Sequence, residues 1–372
     1  MRLSIVSAIK YIFLLQVMLC IAVTSSCQIK LLNGTVVSKS KFEVFIRQQI
    51  DSFHLPGVSI AFISNGTVSY QGAFGYANLE KKRKATINDV YEACSMSKPL
   101  FAYYIMLMQQ KGILNLDTPL YKYLAYPDIA YDERYKLITA RMVLSHTSGL
   151  PNWHEYEPAD SSLHLPKDAQ YLKFTPGSSF NYSGEGYHYL VNVIAHLRHT
   201  SLFKLKDDVY NNVCKPLKMK HAVFGWNDYI AKHKVTGYRQ AMNDGNNKRG
   251  VLKKFEEFSA AGGLHCDAAD YAKFVIALMK EEGLTKSSFA DMFRPQVKVT
   301  GWDDADFWGL GLGIKQTPYG TRYMHSGNNG DFTCYFVLYK EQQKGFVFFT
   351  NCNMAGDLYD KLLPFFENGT IQ

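Results

Sequence analysis

The chain lacks regular spacing among its seven cysteines, Cys20, Cys27, Cys94, Cys214, Cys266, Cys334 and Cys352. That irregularity argues against a disulfide framework. Zinc-site spacing is missing as well: among the 11 histidines, His196 and His199 lie three apart, without the nearby Cys or His-Glu partners a metal site needs. A net charge of +8 comes with no recognisable nucleic-acid-binding module, so nucleic acid is not an expected partner. The basic run Lys81-Lys82-Arg83-Lys84 reads instead as a solvent-exposed loop after a hairpin. Internal repeats and low-complexity linkers are absent too.

What is present points to export and a large core. Arg2 and Lys10 precede Tyr11 to Val23, apolar apart from Gln16, and then Thr24-Ser25-Ser26. The run is too short to span a bilayer comfortably, so residues 1–26 are expected to be a cleaved signal peptide. Two processing routes fit: lipid attachment at Cys27 as the first mature residue, tethering the protein to a membrane, or plain cleavage near Ser25 or Ser26. The expected location is outside the cytoplasm, as a periplasmic, membrane-anchored or secreted protein. A 372-residue chain that is 47% hydrophobic and 14% aromatic can bury a sizeable core.

The pattern of elements predicts an α+β fold. Lys41 to Ile50 reads as a short helix. Val58–Ile63 and Thr67–Tyr70 flank Asn65-Gly66, a strong hairpin signal. Leu100 to about Arg294 is mainly helical and loop-rich. Strands return at Leu310–Lys315, Arg322–His325, Thr333–Tyr339 and Gly345–Thr350, and a helix at Asp357–Phe366 closes the chain. N- and C-terminal strands are expected to share one antiparallel sheet flanked by helices, with a mainly helical lobe inserted. The domain then covers 40–367, with a sheet lobe of 40–93 and 309–367 and a helical lobe of 94–308. The cleft between lobes is the expected site.

Ser95-Met96-Ser97-Lys98 carries the chemistry. Residues i and i+3 share a helix face, so Lys98 can reach the Ser95 hydroxyl and, kept neutral by its surroundings, take its proton. Ser7-x-x-Lys10, Ser38-x-x-Lys41 and Ser201-x-x-Lys204 share the bare pattern. Only Ser95 lies between a short apolar segment (Asp89–Cys94) and a long apolar stretch, Leu100–Met108, that opens with Pro99. That is the layout of a helix N-terminus, where unpaired N–H groups favour an oxyanion. The helix is expected to end at Lys111-Gly112.

With its setting, this motif resembles the first motif of the serine β-lactamase and penicillin-binding-protein-like hydrolases, particularly the class C β-lactamase, D,D-peptidase and family VIII esterase branch. Four more segments resemble family landmarks in the expected order, from about Phe42 to Asn353: Val143–Pro151 (Val-Leu-Ser-His-Thr-Ser-Gly-Leu-Pro), Phe174–Ser183, Ala261-Gly262-Gly263-Leu264 and His325-Ser326-Gly327. The resemblance implies an acyl-enzyme serine hydrolase without metal or organic cofactor, acting on a small-molecule or peptide substrate. Tyr182 would shuttle protons with Lys98. The backbone N–H groups of Ser95 and Asn328 would form the oxyanion hole. His325, Ser326 and Gly327 would line the site on an edge strand, and His146 is expected to be structural.

Two departures shape the substrate. Relatives carry Tyr-x-Asn where this chain has Tyr182-Ser183-Gly184, which removes a carboxamide; the adjacent Glu185 is the candidate substitute. Histidine at 325 stands where β-lactamases commonly have lysine, and a neutral imidazole grips a carboxylate less strongly. Both favour a D-amino-acid peptide or small ester. The alternative is a β-lactamase or a slowly deacylating penicillin-binding sensor. Sequons at Asn33, Asn65, Asn181 and Asn368 read as incidental.

Overall fold

Asn65 and Gly66 both take positive φ, 52° and 62°, as a two-residue hairpin turn requires. They join β1 (Gly57–Ser64) to β2 (Thr67–Asn78), and β3 (Arg83–Lys84) adds to the outer side of β2. The computed structural model describes residues 28–153, 170–240, 245–252, 254, 256–299, 301–302 and 304–370. The proposed signal and Cys27 lie outside them. Among the described residues no helix is long and apolar enough to cross a membrane.

A small sheet in the order β4–β6–β5 forms from β4 (Tyr91–Glu92), β5 (Val223–Phe224) and β6 (Leu264–Cys266). The C-terminal part supplies β7 (Val297–Lys298), β8 (Phe307–Trp308), β9 (Gly313–Thr317), β10 (Gly320–Asn328), β11 (Thr333–Tyr339) and β12 (Lys344–Thr350). These join the N-terminal hairpin in one nine-stranded sheet, β7–β8–β9–β10–β11–β12–β1–β2–β3, antiparallel at each step. The expected union of N- and C-terminal strands is therefore present, made where β12 pairs with β1.

The central strands are buried on both faces, so their sequences are nearly continuous apolar runs. Alternation still sorts the side chains. Phe346 and Phe348 join Ile60 and Phe62 in a core closed by α1 (Lys39–Ser52) and the C-terminal helix Gly356–Asn368. Phe45 of the first stacks on Phe365 of the second, with ring centroids 4.5 Å apart. Val347 and Phe349 face the other way, into the larger core with α2 (Ser97–Gln110).

Two boundaries differ from the sequence reading. β7 and β8 belong to the sheet although they fall before residue 309. The helix Ala268–Lys280, read as part of the inserted lobe, lies across β1, β2, β11 and β12. Short strands and a helix whose apolar face meets a sheet carry the same local pattern as elements of a helical lobe.

Candidate active site

Ser95 stands on a single 3₁₀ turn, Cys94–Met96, that leads into α2. Cys94 holds φ at +47°, a left-handed conformation that costs an L-residue about 1–2 kcal/mol. Its neighbours hold it there. The Ala93 N–H donates to Leu264 O (2.8 Å), Ser97 Oγ donates to Cys94 O (2.6 Å), and the Tyr271 hydroxyl donates to Met96 O (2.7 Å). The second serine of the motif is thus a brace for the first.

Lys98 Nζ lies 3.1 Å from Ser95 Oγ and donates to Ala261 O at 2.9 Å. The segment Ala261-Gly262-Gly263-Leu264 thereby holds the lysine, since its first carbonyl takes one N–H of Lys98. The lysine is fully buried, and burial pushes its pKa down to about 7. Among the described residues no carboxylate pairs with it. The other described matches to the bare pattern are helix caps. Ser38 Oγ accepts from the Lys41 N–H and Ser201 Oγ from the Lys204 N–H, because an N-cap hydroxyl reaches the amide three residues on.

Tyr182 sits with its ring centroid 4.8 Å from Lys98 Nζ. Trp302 stacks on one side of the phenol at 4.4 Å, and His146 packs at 4.2 Å. The segment Val143–Pro151 holds the tyrosine segment in place. His146 Nδ1 accepts from the Ser183 N–H (3.0 Å), His146 O accepts from the Asn181 N–H (2.8 Å), and Ser183 Oγ donates to Pro151 O (2.9 Å). Burial, then the charges of Lys98 and His325, hold His146 well below the ordinary imidazole range. The imidazole is placed as a neutral wedge behind Tyr182.

The strand carrying His325-Ser326-Gly327 corrects the sequence reading. β10 is an inner strand, flanked by β9 and β11, rather than an edge strand. Its pairing to β9 stops at Met324 opposite Gly313, so His325 to Asn328 run on with that side open. Gly327 allows a close approach: a Cβ there would lie 2.7 Å from Ala93 O and 3.0 Å from Cys94 Cβ. Ser326, Gly327 and Asn328 line a cavity of about 570 Å³ with Ser95 and Tyr182. His325 does not line it. The ring is buried beside Trp308, Nδ1 donates to Ser326 O at 2.6 Å, and burial pushes its pKa down to about 3.

Glu185 likewise does not line the cavity; its carboxylate accepts from Gln170 Nε2 at 2.9 Å. Gly184 opens the helix Gly184–Leu197 against the segment that carries Asn152 and Trp153. A Cβ at 184 would lie 2.8 Å from Asn152 O and 2.9 Å from the Trp153 ring. Asn152 O and Oδ1 both accept from the Gly184 N–H, at 3.2 and 3.1 Å. The space used by a longer side chain is occupied by this segment. Gly184→Asn is therefore expected to lower stability by roughly 1–3 kcal/mol as an overpacked site. A thermal melt matching that of the wild type would contradict this packing.

Sequence reasoning missed two features. Trp302 has no motif around it, and only the fold brings it onto Tyr182. Glu92, three residues before Ser95, forms a buried ion pair with Lys234 and accepts from Asn329 Nδ2 at 2.5 Å. Asn329 Oδ1 in turn accepts from the Phe332 N–H (3.0 Å). One carboxylate thus ties β4, which leads to Ser95, to the turn after Asn328. Its signal is an acidic residue flanked on both sides by apolar ones, Val90-Tyr91 and Ala93-Cys94. A further group, His221, Asp267 and Asp270, is engaged in capping the helix Ala268–Lys280 and in ion pairs. The five described cysteines are free and buried.

Ser95 and the buried Lys98 thus meet beside a cleft between the sheet and the helices. Residues 42–362 match the Beta-lactamase family, and the chain belongs to it. It is 24% identical over 323 residues to Protein flp of Staphylococcus aureus (strain NCTC 8325 / PS 47), covering 85% of this chain and 64% of that protein. It is 26% identical over 311 residues to Penicillin-binding protein 4* of Bacillus subtilis (strain 168), covering 77% of this chain and 66% of the relative. The chain thus spans less than two thirds of the length of flp. The fold is similar to that of a penicillin-binding protein from Bacillus halodurans, with a TM-score of 0.71 at 22% identity over 86% of this chain and 99% of that one.

Proposed function

We propose that this protein is an exported hydrolase in which Ser95 is acylated by an ester or amide, a small ester or D-amino-acid peptide being favoured. The observation that carries the reading is the 3.1 Å approach of a buried Lys98 to Ser95 Oγ. With one N–H given to Ala261 O, the neutral amine has a lone pair for the serine proton. Oγ then bonds to the carbonyl carbon, and the N–H groups of Ser95 and Asn328 hold the oxyanion. Lys98 and Tyr182 pass the proton to the departing alkoxide or amine as its bond to the acyl carbon breaks. A water molecule, deprotonated by the same pair, releases the acid and restores Ser95. Export is supported by the N-terminal sequence, with Cys27 as the candidate lipid attachment point.

The test is an intact-mass time course with an uncharged alkyl fluorophosphonate. Wild type is expected to gain one phosphonyl group, mapped by peptide analysis to Ser95, while Ser95→Ala stays unmodified. Equal labelling of the two proteins would remove Ser95 from the mechanism.

A further inference from the structure

Building on that acyl-enzyme reading, we infer that the cleft takes substrates with no carboxylate near the scissile carbonyl, and that it selects uncharged esters or blocked amides by their apolar groups. Among the described residues the cleft walls are aromatic and neutral. Trp153, Tyr182, Trp302 and Tyr335 supply four aromatic surfaces, and Asn152 and Asn329 supply neutral amides. Among the described lining residues there is no Asp, Glu, Lys, Arg or His.

Among the described residues, the basic side chains beside the cleft are enclosed or held by protein partners. Lys98 is enclosed beneath Ser95 and bonded to Ala261 O. His325 is buried beside Trp308 with its Nδ1–H on Ser326 O. Lys234 is paired with Glu92 behind Asn329. Arg239, beside the same turn, donates to Gly330 O at 3.0 Å and to Asp331 Oδ1 at 2.9 Å. A carboxylate entering here would shed water without meeting a cation among the described lining residues. An alkyl or aryl group meets indole and phenol faces instead, which reward its burial.

The experiment uses the full chain and matched ester pairs, each rate divided by that of hydroxide in buffer. On the acyl side p-nitrophenyl butyrate is compared with p-nitrophenyl hemisuccinate; on the leaving-group side, phenyl acetate with 3-carboxyphenyl acetate. The charged member of each pair is expected to show kcat/KM about 100-fold lower. Ser259→Lys places an ammonium on the cleft wall without touching Ser95, Lys98 or Tyr182. It is expected to raise the ratio of kcat/KM on the charged ester to that on its neutral partner about tenfold. Parity between charged and neutral esters in the wild type would overturn the charge rule while leaving the acyl-enzyme intact. No turnover of any ester, with Ser95 unlabelled by the fluorophosphonate, would instead overturn the acyl-enzyme reading and the charge rule with it.

Discussion

On an uncharged ester, kcat/KM will rise about tenfold per pH unit below a midpoint near 7 and level off above it. The midpoint follows from Lys98, whose pKa burial lowers to about 7, with the Cys94 thiol opposing weakly. The sign is set by the proposed role: there the free amine accepts the Ser95 proton, so activity is lost as pH falls and the amine is protonated. Lys98→Met should lower kcat by about 10²–10⁴-fold, the usual worth of a positioned general base. It should also melt at or above the wild-type temperature at pH 7. An amine whose pKa drops on folding opposes folding below its folded value and progressively less as pH climbs toward 10.5. The stability advantage of the variant should therefore shrink over that interval. An unchanged pH–rate profile in Lys98→Met would sink the assignment.

The acid limb has its own boundary. His325, His265 and His146 are all held below the ordinary imidazole range by burial. Each binds a proton in the unfolded chain near pH 6.5 that it refuses when folded. Stability should then fall by about 1.4 kcal/mol per pH unit per group as pH drops below 6.5. Far-UV circular dichroism across the same buffers separates unfolding from protonation of Lys98.

The largest loss of stability should come from Glu92→Ala, at about 3–5 kcal/mol, because it strands the Lys234 ammonium in the interior. The side chains of Lys234 and Glu92 are only 5% and 4% exposed, so water cannot replace the missing partner. Activity should fall too, since Asn329 and the turn after Asn328 lose their anchor. Glu92→Gln combined with Lys234→Met removes the stranded charge and should recover most of the stability. In a urea titration this appears as a midpoint moving back toward wild type at unchanged slope. A Glu92→Ala stability within about 1 kcal/mol of wild type, on the order of a surface substitution, would show that the pair contributes little.

The readings that succeeded share one property: their causes lie within a few residues. The Asn65-Gly66 hairpin depends on two positive φ angles. The end of α2 depends on Lys111 and the left-handed Gly112. The Ser95–Lys98 contact depends on helical spacing and a proline at the helix start. Where neighbours in space decide, the reading went astray. His325 was placed on an edge strand facing substrate, yet β9 pairs along β10 as far as Met324, and the ring is enclosed beside Trp308. Glu185 sits beside the motif in sequence, but its helix turns it to Gln170.

By itself, then, the sequence determined the alternation of strands and helices, the order of the motifs, and the serine–lysine pair with its helix N-terminus, because backbone torsions and i,i+3 spacing are local. Only the tertiary structure decided that burial pushes the Lys98 pKa down to about 7, that Trp302 backs Tyr182, that Glu92 meets Lys234 across 142 residues, and that the described cleft wall is neutral. Desolvation and charge pairing depend on what packs around a group, and those neighbours come from segments far apart in the chain.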